Sequence, residues 1–472
     1  MNVHLQIFSP WKLSLIFIIY HLFTMSAAQS TNDSNAMSNE EVLDKIISFV
    51  KSSDPQEQFT GAALARKWLF HPNRQNFDKD FIQRGFLPIF VNGLQSKNTK
   101  MQYECAFLLA FFAESGHVDA MVKAGCIPPL VDLVTSSDNS VAEMSTLTLG
   151  HIIVHNNTKY RDLCIAAGIV KALAKRLVVE APVPFLQHAT YAIGNIFNNK
   201  DDPPSKEVAD ILLPGLVKLV QHEDIETLKE TLLAISYIAA NDRSMVAKTG
   251  VARKVINLLD HKEPDIQVNA LDILGNIASG TNDHTQYILD IGTLPLMDKF
   301  LKSSNKKLNK EACWFLTNFL AGSEEQIQAV FDAGYIPLII KHLKTGDFAT
   351  QQKAAKCILN IAVYGDDKNL NTIIDRNVLP ALSSFLKVVE DKETKIIELA
   401  LQGLEKIVLN SPTRKNEMFE QLLENGGIDV LQRLQKYPSD AVSLSATVIL
   451  ASLVATEHTV SFHYIGSGHD EN

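Results

Sequence analysis

Glu311, Trp314 and Asn318 stand three and four residues apart in KEACWFLTNFLAG, so on a helix they form one stripe. The trio suits the capture of a cation on a polar chain. An indole face attracts ammonium and guanidinium groups by about 0.5–2 kcal/mol, a carboxylate meets the charged head, and a carboxamide carries both donor and acceptor. Leu316, Phe319 and Leu320 point elsewhere and can fill a core. Asn195, Asn276 and Asn360 recur at the same late position of other apolar segments, in AIGNIF, ILGNIA and CILNIA, and Tyr237 fills that position in AISYIA. A blander reading has these Asn tying inter-helix turns and Trp314 packed in a core. Four equivalent Asn in register favour a binding stripe.

The elements that must carry the stripe follow from its period. The steps from Asn195 to Tyr237, Asn276, Asn318 and Asn360 are 42, 39, 42 and 42 residues. A second marker keeps the same period: Gly85, Gly125, Gly168, Gly250, Gly292 and Gly334 follow short apolar helices at gaps of 40, 43, 82, 42 and 42. Pro88, Pro128, Pro295 and Pro337 come three residues after four of them. Gly supplies a left-handed helix stop and Pro the first turn of the next helix. A period of about 40–47 residues with two or three helices per repeat belongs to the armadillo/HEAT class. The expected fold is all-α, a right-handed armadillo-repeat superhelix of about nine to ten repeats, more than half helical and essentially without strand. The helices Val42–Val50 and Gln58–Phe70 open it, and Phe419–Val454 closes it as the terminal cap.

Composition agrees. The chain of 472 residues is 46% hydrophobic and 21% charged, and its net charge of −9 speaks against a nucleic-acid surface while leaving a basic partner open. Cys105, Cys126, Cys164, Cys313 and Cys357 are scattered without a C-x-x-C pair and read as buried small hydrophobes in a reduced protein.

Three segments are expected: a leader over 1–37, the solenoid over 38–455, and a disordered tail over 456–472. Leu13–Phe23 is an apolar run preceded by Lys12 and followed by Ser26-Ala27-Ala28. It has the form of a signal peptide cleaved after Ala28 and is too short for a membrane span. Unpaired cysteines and the fold class stand against secretion, and Met25 and Met37 are alternative starts. Cytoplasm and nucleus are the expected locations, with secretion as the alternative if residues 1–28 direct it.

ACWFLTN, EEQIQAVFDAG, ALDILGNIASGTN and LALQGLEKIVLN resemble the later repeats of the importin-α (karyopherin-α) armadillo proteins in wording and order. The resemblance covers Gln58–Val454. It implies a nuclear import adaptor whose Trp-x-x-x-Asn pairs, on the third helices of successive repeats, line a concave groove. Asn amides would hold the backbone of an extended basic nuclear localisation peptide, Trp rings would form slots for Lys or Arg stems, and acidic residues would meet the heads. The last repeats would serve the nuclear export receptor.

Carried over by position, the stripe is uneven. The later groove has Asn276, Glu311, Trp314, Asn318 and Asn360, but Asp272 and Lys356 at its flanking ring positions and Lys353 where an acid would stand. The earlier groove has Phe107, Leu147 and Tyr191 for rings and Phe111, His151 and Asn195 for amides, with His155 at an acidic position. Phe107 and Tyr191 can still stack on a basic stem. The family's importin-β-binding segment is a basic N-terminal helix, and no Lys/Arg cluster precedes Lys51. This implies a divergent member for which importin-β is a doubtful partner. An armadillo scaffold that has lost signal binding is the alternative function.

His151 and His155 have the i, i+4 spacing of two metal ligands but no third ligand in sight, so a solvated or partly buried pair is the reading. No Walker loop, G-x-S-x-G or dinucleotide fingerprint appears. No enzyme, cofactor, metal, nucleic-acid or membrane role is expected.

Overall fold

The computed structural model describes residues 39–70, 77–155, 158–390 and 392–454. The expected leader, 1–37, with its signal-peptide segment, and the expected tail, 456–472, lie outside these residues. Among the described residues every regular element is an α or 3-10 helix.

The repeating piece is two short helices followed by a longer third one. In the repeat that follows the Trp314 helix these are Glu324–Asp332, Ile336–Thr345 and Phe348–Tyr364. Ser323 opens the first with a capping box to Gln326, which satisfies two otherwise orphaned N–H groups. Gly334, at φ 75°, turns the chain through the left-handed region, and Pro337 sits in the first turn of the next helix. Asp347 caps the third helix by accepting from the Thr350 N–H. Each joint therefore carries its own stop and start signals, and the helices need no long loops.

The left-handed joint recurs at Gly85, Gly125, Gly168, Gly250 and Gly292, as the period predicts, and also at Asn377 (φ 61°) and Gly426. Asn377 holds the joint because its short polar side chain tolerates this region better than most. Where the glycine series skips a beat, between Gly168 and Gly250, the joint is absent. Lys206–Leu219 runs as one helix with Pro214 inside it.

By packing, the chain divides into two compact units, Met1–Tyr237 and Ile238–Asn472. Within the first, the third helices Pro55–Trp68, Thr99–Glu114, Asn139–Val154 and Val183–Phe197 pack each on the next. Within the second, Pro264–Ala278, Lys306–Phe319, Phe348–Tyr364, Thr394–Asn410 and Asp440–Val454 do the same. With Ile225–Asn241, which contains the division, the described residues hold ten third helices. This is an armadillo-repeat α-solenoid.

The opening helices differ slightly from expectation. The first runs Asn39–Val50, and the second begins at Pro55 rather than Gln58, because Asp54 caps it through the Gln56 N–H and Pro55 supplies a ready-made first turn. Leu316, Phe319 and Leu320 are completely buried, and Phe81, Phe86, Phe90 and Phe112 cluster in the first unit's core. All five cysteines are buried free thiols. Burial pushes Cys126 and Cys313 up to about 12, so they are inert packing groups.

Gly334 has open space where a Cβ would stand, so its only constraint is φ. Gly334→Ala is expected to lower the thermal midpoint, by about 1 kcal/mol in stability, while Asn377→Gly holds or raises it. Melts followed by circular dichroism check this, and an unaltered Gly334→Ala midpoint would contradict the role of the joint.

Candidate functional site

Trp314 lies on Lys306–Phe319, directly over Gly275 of the preceding third helix. A Cβ at Gly275 would stand 2.8 Å from the indole Cη2 and 3.1 Å from Cε3, and closer still to Cζ3. Only glycine leaves room for the ring there. A glycine inside a helix costs roughly 0.5–1 kcal/mol relative to alanine, and here it permits close approach of an aromatic ring. Trp314 is half-buried, so part of the ring remains open to a ligand. Glu311, one turn earlier, is 8% exposed and pairs with Lys310 Nζ at 2.5 Å.

The amides are tied. Asn318 Nδ2 donates to the Gly275 carbonyl at 3.1 Å, and Asn360 Nδ2 to the Thr317 carbonyl at 2.8 Å. In both cases the acceptor immediately precedes the Asn position of the previous repeat, so one bond recurs with the period and holds neighbouring stripes in register. Asn410 Nδ2 adds a tie to the Ala362 carbonyl at 3.1 Å. Each bond uses one of the amide's two N–H groups and leaves the other and Oδ1. Asn318 and Asn276 are half-buried, whereas Asn360 is only 4% exposed. At 318 and 360 these bonds reach carbonyls inside the preceding third helix rather than the inter-helix turns.

Repeat by repeat the seat changes. Beneath Lys356 the position of Gly275 is taken by Thr317, whose hydroxyl donates to the Trp314 carbonyl at 2.6 Å. Lys356 is exposed and Lys353 half-buried. In the first unit, Tyr191 rests on Gly150, where a Cβ would lie 3.0 and 3.2 Å from the ring carbons Cδ1 and Cε1. His151 meets the same ring edge-on, with centroids 6.3 Å apart. Asn195 Nδ2 does not cross to the preceding helix but returns to the Tyr191 carbonyl, 2.9 Å away on its own helix. Burial first, then the Glu230 charge, raises the Tyr191 phenol to about 12, with Glu114 adding to the effect and the Asn195 hydrogen bond opposing it. Next to Gly194 the corresponding space is open.

Phe107 already has a cation. The Arg66 guanidinium carbon is 5.6 Å from its ring centroid, and Arg66 Nε donates to Glu104 at 2.5 Å. Burial acts to lower the Arg66 pKa, but the hydrogen bond and charge of Glu104 outweigh it and hold it above the ordinary value. Phe70 and Tyr103 close around the same ring, with centroids 6.1 and 6.2 Å away. Glu311, Trp314 and Asn318 thus come together with Asn276 and Asn360 on neighbouring helices of the second unit. Phe107, Tyr191 and Asn195 lie on third helices of the first.

Residue types alone missed Gly275, Gly150, Arg66, Glu104 and Glu230. The first two were visible as the Gly of LGN and LGH, immediately before the amide position. His151 and His155 gain no third ligand: among the described residues no group of three His, Cys, Asp or Glu side chains could hold a metal. No described helix is long and apolar enough to cross a membrane.

If Gly275 is the seat of Trp314, Gly275→Ala displaces the ring. With Trp11 and Trp68 replaced by Phe, the Trp314 emission maximum is expected to shift to longer wavelength as the indole gains solvent. An unchanged spectrum would show that the ring does not need the glycine.

Segments 115–154 and 323–363 match the Armadillo/beta-catenin-like repeat family. Importin subunit alpha-8 of Arabidopsis thaliana is 30% identical over 422 residues, spanning 87% of this chain and 93% of its own. Importin subunit alpha-3 of the same plant is 28% identical over 466 residues, 95% of this chain and 86% of its own. Importin subunit alpha-1b of Oryza sativa subsp. japonica is 28% identical over 426 residues, 87% and 79% respectively. Among solved structures, an engineered protein superposes with a TM-score of 0.75 at 26% identity, over 87% of this chain and 98% of its own. With an armadillo solenoid, an aromatic–amide stripe in register and full-length similarity to importin α subunits, the chain belongs to the importin-α family.

Proposed function

We propose that the protein is an adaptor of the nuclear import type that binds basic peptide segments along its third helices, moving between cytoplasm and nucleus. The observation that carries this reading is the seat at Trp314: a half-open indole fixed on Gly275, a carboxylate one turn away, and a tied amide at Asn318. A Lys or Arg stem laid on the ring places its head near Glu311, which it shares with Lys310. Asn276 and Asn318 present amide groups to the peptide backbone whatever its side chains, and Asn360 stabilises the next helix behind them. Phe107, Tyr191 and Asn195 form a weaker second face, since Arg66 occupies the Phe107 ring. Importin-β engagement is not part of this reading, and contact with an export receptor through the last repeats is a subsidiary element of it.

One observation favours the second reading, a scaffold that has lost signal binding. Lys353 and Lys356 stand on the next third helix at the positions equivalent to Glu311 and Trp314, and like charges repel a basic ligand. Fluorescence anisotropy of a labelled Lys/Arg-rich peptide separates the two. Loss of a stacked ring and of a charge-assisted contact is worth about 0.5–2 kcal/mol each. Trp314→Ala with Asn318→Ala is therefore expected to weaken binding at least about tenfold, and Tyr191→Ala with Asn195→Ala less. Trp314→Ala alone, which leaves the Asn318 tie intact, isolates the ring. A larger loss from the Tyr191/Asn195 pair would move the principal site to the first unit, and no binding by the unmutated protein would establish the scaffold.

A further inference from the structure

We infer that the face around Trp314 selects a mixed-charge peptide, in which a Lys or Arg lies two to three residues from an Asp or Glu. The inference rests on the peptide-binding reading above and names the ligand class of that same face.

Lys353, Lys356 and Asn360 repeat the spacing of Glu311, Trp314 and Asn318 one helix further on. The two amide ties, Asn318 to Gly275 and Asn360 to Thr317, place the second trio beside the first in equivalent register. What was an acid and a ring on one helix is two ammonium groups on the next. Lys356 is exposed, and neither it nor Lys353 is ion-paired within the described residues. Lys310, by contrast, is held by Glu311. Nor does the second position repeat the ring seat: its side chain is Lys356, and Thr317, which carries a Cβ, stands where the first seat has Gly275.

A ligand lying across both helices therefore meets a cation slot and then a pair of free cations. A second Lys or Arg there would be repelled, and a carboxylate would be attracted. Neighbouring helices are roughly 8–10 Å apart and an extended chain advances about 3.3 Å per residue, so adjacent slots are about three residues apart. Side chains two apart lie on one face of an extended chain and those three apart on opposite faces, so a spacing of two suits a fully extended ligand and three one that turns between the helices.

The test compares labelled peptides at low salt by anisotropy. One contains only Lys and Arg as charged residues; the others carry a single Glu two or three positions to either side of a Lys. At least one Glu peptide is expected to bind about threefold or more tighter than the all-basic one, within the range of an exposed ion pair. Its advantage should fade as salt is raised. Lys353→Glu with Lys356→Glu should reverse the preference, and Lys353→Ala with Lys356→Ala should remove it. Tighter binding of the all-basic peptide by the unmutated protein overturns the inference while leaving the adaptor reading standing. So does a preference for Glu that survives in both double variants. Failure of every peptide to bind overturns both together.

Discussion

Chemistry at the candidate site depends on how closely one third helix lies on the one before it. Gly275 has no side chain to keep the Lys306–Phe319 helix away, so the Trp314 indole rests on helix backbone and the Asn318 amide reaches the Gly275 carbonyl at 3.1 Å. The ring and the amide are thus fixed by the same residue. A ring already seated loses little freedom when a ligand stacks on it, and an amide anchored by one N–H offers the rest in a set direction. One helix further on, Thr317 stands at the corresponding place, and the side chain above it is Lys356 rather than an aromatic. Seat and ring change together.

The first unit meets the same constraint differently. Gly150 seats Tyr191, but the preceding aromatic, Phe107, is covered by Arg66, whose charge is matched by Glu104. That arrangement of ring, cation and carboxylate is the interaction a basic ligand would make, supplied by the chain itself. Two faces built from one repeat pattern have therefore diverged in what they leave open. The second keeps a half-buried Trp314, and the first keeps a Tyr191 phenol whose pKa is raised by burial and by the Glu230 carboxylate.

The repeat architecture was legible in the sequence because its signals are local. Gly334 and Pro337 specify a joint by backbone conformation alone, and the apolar run ending in Leu316, Phe319 and Leu320 specifies which side is buried. The missed joint at Asn377 and the continuous Lys206–Leu219 helix mark where another residue type, or none, takes the glycine's place. At the site, spacing alone places Trp314 and Asn318 one turn apart on one helix, with Asn276 and Asn360 on the helices to either side. What spacing could not convey are contacts made across a whole repeat. The Asn318–Gly275 and Asn360–Thr317 ties, the Trp314–Gly275 seat and the Arg66–Glu104 pair all join residues about one period apart. Local propensity carries no information on such pairs; only stacking of the helices reveals them.

The most direct measurement is made at the ring itself. With tryptophan indoles labelled with nitrogen-15, the Trp314 Nε1–H resonance can be followed by nuclear magnetic resonance as a basic peptide is added, with Trp68 as an internal reference in the other compact unit. A saturable shift of the Trp314 signal, with Trp68 unmoved, is the expected result. Peptide binding detected by anisotropy under the same conditions with the Trp314 signal stationary would contradict the assignment of this seat.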